Sequence, residues 1–465
     1  MNFIEKYRQQ TASPDQVLQI YEETYPVLGD ALGKLPDEIQ KAWVSVVGNS
    51  NFLARWTRRY PDRVKDILLS DLNKTWSLEE YHQSLDTPAE GPDEQLEALL
   101  AFKYWHLYRI SLRDLGLHKD FDPISSEISA LAYCILQKAL KIQWNGWVEK
   151  IGNPMGKDPS MPMIPFTILA LGKLGGNELN YSSDIDIIYC HGSDQGTLQK
   201  NGKLEKFSPL QFFTKVGESL GSMLSKKTPQ GFLYRVDLEL RPEGASGTLT
   251  NSLEAFEAYY ETFGAFWEKQ AMIKLSYGGG SQSLFQDFAK LIRPFVYPKS
   301  SDMGLIEKIV QMKQKVEDSL KHSSQKGFHV KLDSGGIREI EFFIQTFQVL
   351  HGGKVKSLRQ TNTLKALMAL HNENLIDLKV YQGFKDAYVF LRTLENRLQQ
   401  VEEQQTHRLP TEEKDLESTA KRMGYSGVST GDALENFLKD LNFHKNFVED
   451  RFASLMSGKA HSLHG

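Results

Sequence analysis

The stretch GKLGGNELNYSSDIDIIYCHG, Gly172 to Gly192, decides the fold of this chain. It follows the short apolar run FTILALG (Phe166 to Gly172) and places a glycine pair and a cluster of turn formers before two aspartates spaced one residue apart. FTILALG and DIDIIYC both have strand composition. Successive side chains of a strand point to opposite faces, so Asp184 and Asp186 are expected to project side by side at the strand's start. Two carboxylates so close repel each other, a cost that a shared cation would remove.

Further along, GFLYRVDLEL (Gly231 to Leu240) is a third segment of strand composition, with Asp237 facing away from Val236 and Leu238. If it lies beside DIDIIYC, three carboxylates converge, and oxygen donors with room for phosphate oxygens and water suit Mg²⁺. Gly175-Gly176 would let the backbone approach a phosphate with open N–H groups, and Ser182 and Ser183 would add hydroxyl donors. Between the second and third strands, Ser208-Pro209 caps a helix whose apolar stripe runs through Phe212, Phe213, Val216, Leu220, Met223 and Leu224.

Outward from this unit the texture is helical. Residues 15 to 150 show cap residues before apolar runs at Ser13-Pro14-Asp15 and Asn49-Ser50-Asn51, and Phe52, Trp56 and Tyr60 recur every fourth residue. DTPAEGPDE (Asp86 to Glu94) reads as an exposed loop, and the proline-rich IGNPMGKDPSMPMIP (Ile151 to Pro165) as a connector. Beyond residue 300, Phe384, Ala387, Leu391, Leu394, Leu398 and Val401 form the seam of a long helix. Gly278-Gly279-Gly280 reads as a flexible turn. The expected fold class is α+β and predominantly helical, with an N-terminal helical region (1–160), a strand-bearing domain (161–300) and a C-terminal helical bundle (301–465).

At 465 residues the chain is long enough for two to four domains, and no window approaches the ~18 consecutive apolar residues of a membrane helix. The opening MNFIEKYRQQ does not read as a secretory signal, and Cys134 and Cys190 are the only cysteines, so a cytoplasmic location is expected. A net charge of −4 argues against a nucleic-acid partner. The basic RWTRRYPDRVK (Arg55 to Lys65) reads as a solvated helix face. The 12 histidines show no zinc spacing, and His191 reads as strand-end packing.

The order strand, Gly-Gly, Ser-Asp-x-Asp, strand, isolated Asp resembles the DNA polymerase β-like nucleotidyltransferase superfamily. GKLGGNELNYSSDIDIIY, YRVDLELRPEGASGTL, FWEKQAM and DSGGIREIEFFIQTFQVLHGG resemble the glutamate–ammonia-ligase (glutamine synthetase) adenylyltransferase family, as do SNFLARW and LRTLENRLQQVEEQQTHRLP nearer the termini. That family typically carries two such halves, one removing AMP from glutamine synthetase and one attaching it. This sequence corresponds to one half and resembles the N-terminal, adenylyl-removing one. The resemblance implies phosphorolysis, in which phosphate attacks the AMP phosphorus on an adenylylated tyrosine and releases ADP.

Two Mg²⁺ ions about 3.5–4 Å apart on Asp184, Asp186 and Asp237 would suit such an in-line displacement. Lys173 and Arg241 are candidates for phosphate binding, with surface charge as the other reading. Arg338 and Glu341 are candidates for nucleotide contact from the C-terminal bundle, with an ion pair inside their helix as the other. The family pattern has Asp-x-Arg where this chain has Asp237-Leu238-Glu239, which places a second acid on the expected strand face. The competing readings are ATP-dependent adenylylation of the same tyrosine and a non-catalytic, partner-binding relic. Glutamine synthetase, adenine nucleotide and phosphate are the implied partners; a PII-type signalling protein and a separate second-half chain are further candidates.

Overall fold

The computed structural model describes residues 2–86, 91–157, 162–299, 326–426 and 431–456. The expected α+β class, mostly helical with a mixed sheet, is what the chain adopts. Pro14–Lys34 and Asn51–Arg59 start where the cap residues predicted, the latter with the Ser50 hydroxyl accepting from the Leu53 N–H. Pro209–Ser225 carries a full capping box from Ser208 and Gln211, and the long seam helix is Leu378–Gln400. Residues 87–90 of the expected DTPAEGPDE loop lie outside the described residues; the next helix begins at Pro92. Among the described residues, no helix is long and apolar enough to cross a membrane.

Eight strands are described: β1 (Asn153–Gly156), β2 (Phe166–Ala170), β3 (Asp184–His191), β4 (Gly196–Lys200), β5 (Lys203–Leu204), β6 (Arg235–Asp237), β7 (Thr250–Ser252) and β8 (Ser276–Gly280). The main sheet has the order β6-β3-β2-β8, with β7 also paired to β3; β1, β4 and β5 make a smaller sheet from the expected connector and its neighbours. β2 runs antiparallel to β3, whereas β6 and β7 run parallel to it at its two ends.

Side-chain alternation assigns each face of the main sheet a different cover. Ile168, Ala170, Ile185, Ile187 and Tyr189 pack into a core shared with the N-terminal helices and Pro209–Ser225. Leu169, Leu171, Ile188 and Cys190 pack into a second core with the helices of residues 253–296 and the C-terminal bundle. Asp184 and Asp186 have the parity of Ile188 and Cys190, so they open toward the C-terminal bundle.

Two expectations need correction. Gly278-Gly279-Gly280 is strand, not turn: it lies in edge strand β8, paired to β2 across a register shift between Ile168 and Leu169. A Cβ on Gly278 would press on Ile168 and one on Gly280 on the Phe166 carbonyl, and Gly280 has φ +90°, so close backbone approach demands the glycines. The ten-residue strand expected at GFLYRVDLEL shrinks to Arg235–Asp237. The Asp237 carboxylate accepts the Glu239 N–H at 2.8 Å, a side-chain turn that ends the pairing. Glu239 therefore sits in that turn and shares no strand face with Asp237.

Candidate functional site

The parallel register of β3 and β6 sets Asp184 beside Arg235 and Asp186 beside Asp237. Adjacent strands lie about 4.8 Å apart, so Asp186 and Asp237 are neighbouring carboxylates on one face. Burial, and then the Asp237 charge, push the Asp186 carboxyl up to about 6, against the opposing pull of Lys331 and Lys173. A raised carboxyl beside another carboxylate marks a deficit of positive charge.

Asp184 differs. Its Oδ1 accepts from Arg235 Nε at 2.7 Å and its Oδ2 from Gln405 Nε2 at 2.9 Å. Arg235 Nη2 also donates to the Ser182 carbonyl at 2.7 Å and to the Ser182 Oγ at 3.1 Å. The expected convergence of three free carboxylates is therefore reduced to two, because a guanidinium holds the third. Among the described residues, no group of three or more His, Cys, Asp or Glu is assembled to hold a metal ion. Asp186 and Asp237 still form a donor pair of the kind Mg²⁺ uses, since that ion takes one or two carboxylates and completes its shell with water and phosphate.

The glycine that fronts this pair is Gly172, not Gly175-Gly176. Gly172 has φ +53°, and a Cβ there would overlap Asp186 Oδ2. The Gly175 N–H donates to the Leu171 carbonyl at 2.8 Å and the Gly176 N–H to the Gly172 carbonyl at 3.0 Å. Those N–H groups are spent on a single helical turn, which corrects the expectation that they stand open. Ser182 is tied as well: its hydroxyl donates to the Glu403 carbonyl at 2.9 Å and its N–H to Gln399. Ser183 is buried at the edge of β3.

Lys173 follows Gly172 and pairs with Glu395 at 3.1 Å; burial first, then Lys331 and Arg392, lower its ammonium to about 8 despite that partner. Arg241 donates from Nη1 to the Leu238 carbonyl at 2.7 Å, within its own turn. Arg338 is exposed near the start of Ile337–His351. Glu341 is paired with Lys274 at 2.8 Å; burial would raise its carboxyl, but Lys274 outweighs it and holds it well below the usual carboxylate range. Thus the suggested Arg338–Glu341 pair gives way to a bond between the bundle and the strand-bearing region.

Beneath the site lies a charged hub whose Glu178, Asn180, Arg392, Glu395 and His407 fall in the motifs GKLGGNELNYSSDIDIIY and LRTLENRLQQVEEQQTHRLP, though the sequence assigns them no role. Glu178, 1% exposed, accepts from Lys274 at 3.1 Å, Tyr388 at 2.7 Å and the Thr363 hydroxyl at 3.1 Å, and also from the Thr363 N–H. Arg392 donates to the Glu178 carbonyl at 2.5 Å and to Asn180 at 2.6 Å. Glu395 accepts from Asn180 at 2.5 Å, with His407 Nδ1 2.7 Å away. The loop GNELN is thus bolted to helix Leu378–Gln400, which fixes the approach to β3. Arg235 had a signal, being two residues before Asp237 on the same strand face. Gln405 had only its place in LRTLENRLQQVEEQQTHRLP, and Lys331 had none.

Comparison with known proteins agrees with the motifs. The family model described as glutamate–ammonia ligase adenylyltransferase matches residues 40–291, and one described as GlnD PII-uridylyltransferase matches residues 304–456. A bifunctional glutamine synthetase adenylyltransferase/adenylyl-removing enzyme of Hahella chejuensis is 34% identical over 96% of this chain and 46% of its own length. The protein of the same description from Pseudomonas aeruginosa is 36% identical over 88% of this chain and 42% of its own. The chain thus spans a little under half the length of these relatives. It belongs to the glutamate–ammonia ligase adenylyltransferase family.

Proposed function

We propose that this chain is a polymerase β-like nucleotidyltransferase that removes AMP from an adenylylated tyrosine of glutamine synthetase by Mg²⁺-dependent phosphorolysis, in the control of nitrogen assimilation. The observation that carries the reading is the under-neutralised pair Asp186 and Asp237, side by side on β3 and β6 with Gly172 against it. The direction rests on the likeness of ELNYSSDID, YRVD and GGIREIEFFIQTFQ to the adenylyl-removing half. An oxygen of inorganic phosphate bonds to the AMP phosphorus while the bond from phosphorus to the tyrosyl oxygen breaks. ADP leaves, and the tyrosinate, whose conjugate acid has a pKa near ~10, takes up a proton.

Asp186 and Asp237 would hold Mg²⁺, with Asp184 joining them if Arg235 lets go. When bound, the cation neutralises phosphate charge. The chain's own residues do the rest: Gly172 leaves room beside Asp186, while Lys173, Arg235, Arg241 and Arg338 supply positive charge for two phosphates and orient them. A PII-type protein or a chain carrying the second half would dock elsewhere on the helical regions. The test incubates the protein and Mg²⁺ with adenylylated synthetase and phosphate, and separately with unmodified synthetase and ATP, and weighs the tyrosine peptide by mass spectrometry. Loss of AMP with phosphate alone supports the proposal. Gain of AMP with ATP reverses its direction, and no change in either overturns it.

A further inference from the structure

A cavity that none of the β3 or β6 residues lines lies where the N-terminal helices meet the end of the C-terminal bundle. Its volume is about 180 Å³, below the ~300 Å³ at which pockets for larger organic ligands begin. Lys41, Ser45 and Asn49 line it from helix Asp37–Asn49, His118 from the loop before Phe121–Ile151, and Lys421 and Arg422 from the last turn of Glu413–Arg422. Among the described residues, no carboxylate lines the cavity. Helix dipole alone favours Lys421 and Arg422 at their helix end, but it does not account for Lys41 and His118 converging on them from another region.

Three further details point to a ligand. Arg422 is anchored, its Nε donating to the Asn49 carbonyl at 3.0 Å, so its charge is held at the wall. His118 sits at φ +50°, a left-handed backbone uncommon outside glycine and costly to maintain. The nearby acids lie outside the lining: Asp37 binds Lys6 and Tyr7 and also acts on Lys41, Asp114 binds Arg397 at 2.6 Å and also acts on His118, and Asp415 and Glu402 act on Arg422. In a chain of net charge −4, a carboxylate-free pocket holding Lys41, Lys421 and Arg422 is a local exception, and His118, lowered by burial and by Arg397 and Lys41, joins them as a hydrogen-bonding imidazole.

We propose that this cavity binds one small polyvalent anion, a phosphate or a short dicarboxylate, which joins Lys41 and His118 on one side to Lys421 and Arg422 on the other. Its occupant would tie the N-terminal region to the bundle whose helix Leu378–Gln400 leads to Gln405 at Asp184. The inference does not depend on the proposed activity. Hydrogen exchange on the whole chain in 150 mM NaCl tests it, with inorganic phosphate and succinate added separately. The expected result is saturable protection of peptides within residues 37–49 and 413–426 by at least one of the two. Lys41→Gln and Lys421→Gln should each weaken it by tenfold or more, while Lys421→Arg retains it. Succinate alone protecting identifies a dicarboxylate site and phosphate alone a phosphate site. Protection by neither, or protection unchanged in both Lys→Gln variants, overturns the proposal. Any phosphate effect confined to residues 172–190 belongs to the other site and also counts against it.

Discussion

Two groups of charged side chains share the middle of this molecule and are built on opposite principles. Around Glu178 and Arg392, burial is nearly complete and every charge has close partners from both the strand-bearing region and the bundle. At Asp186 and Asp237, the carboxylates face each other and the nearest cations act at longer range. Satisfied charge fixes geometry, because removing one partner strands the other in a poorly solvated place. Unsatisfied charge leaves binding energy for a ligand. The first group holds the second in place.

The largest effect should come from Asp186→Asn, which would lower AMP removal by at least ~10³-fold, in proportion to a lost charge at the reacting phosphates. The same variant should be no less stable to urea than the parent, because a repulsion has gone. A stability loss comparable to the activity loss would erase the distinction between the two groups. Next, Arg392→Met or Glu178→Gln should destabilise the fold by about 3–5 kcal/mol in denaturant titrations, since each leaves buried partners unpaired. If either costs under about 1 kcal/mol, the hub is not what holds the layers together.

Gly172→Ala should reduce turnover by ~100-fold with a smaller change in stability, because the methyl group displaces the Asp186 carboxylate by a fraction of its length. The smallest effect is a pH signature. The Asp186 carboxyl is raised from 3.8 to about 6, so between those values the folded chain holds a proton that the unfolded chain releases. Its contribution is full below pH ~4 and is lost as pH rises through ~6, on the order of 2 kcal/mol after allowance for solvent screening. Urea titrations without divalent cations should show this slope in the parent and not in Asp186→Asn. Added Mg²⁺ should flatten it.

How far the sequence foretold these groups follows from how each is encoded. The spacing Asp184-x-Asp186 and the strand parity of Asp237 carry their geometry locally, so the carboxylate face is legible in the residue order alone. The seam from Phe384 to Leu398 and the cap at Ser208 are legible for the same reason, each a pattern within one element. The hub is not: Glu178 meets its partners across 96 to 214 residues of chain, and nothing in GNELN distinguishes a buried acid from a turn residue. The capture of Asp184 by Arg235 depends on the register of two strands, which no single segment specifies. The glycine run of β8 misled because strands are recognised by side-chain alternation, and three glycines have none.

The sheet's two covers also bear on how the chain is made. Synthesis proceeds from the N-terminus, so β2 and β3 can settle on the helices before residue 151 as soon as they emerge. Their other face, with Leu169, Ile188 and Cys190, waits for the helices of residues 253–296, and Glu178 waits longer, for Leu378–Gln400, some two hundred residues later. During that interval a ribosome-bound intermediate exposes an apolar sheet face and the unmatched Glu178, the kind of surface that recruits chaperones or aggregates. Cutting the chain between the expected second and third domains would leave Glu178 and Asn180 permanently without Tyr388 and Arg392. Strands β2, β3 and β6 therefore cannot be studied as a separate piece without new partners for the loop GNELN.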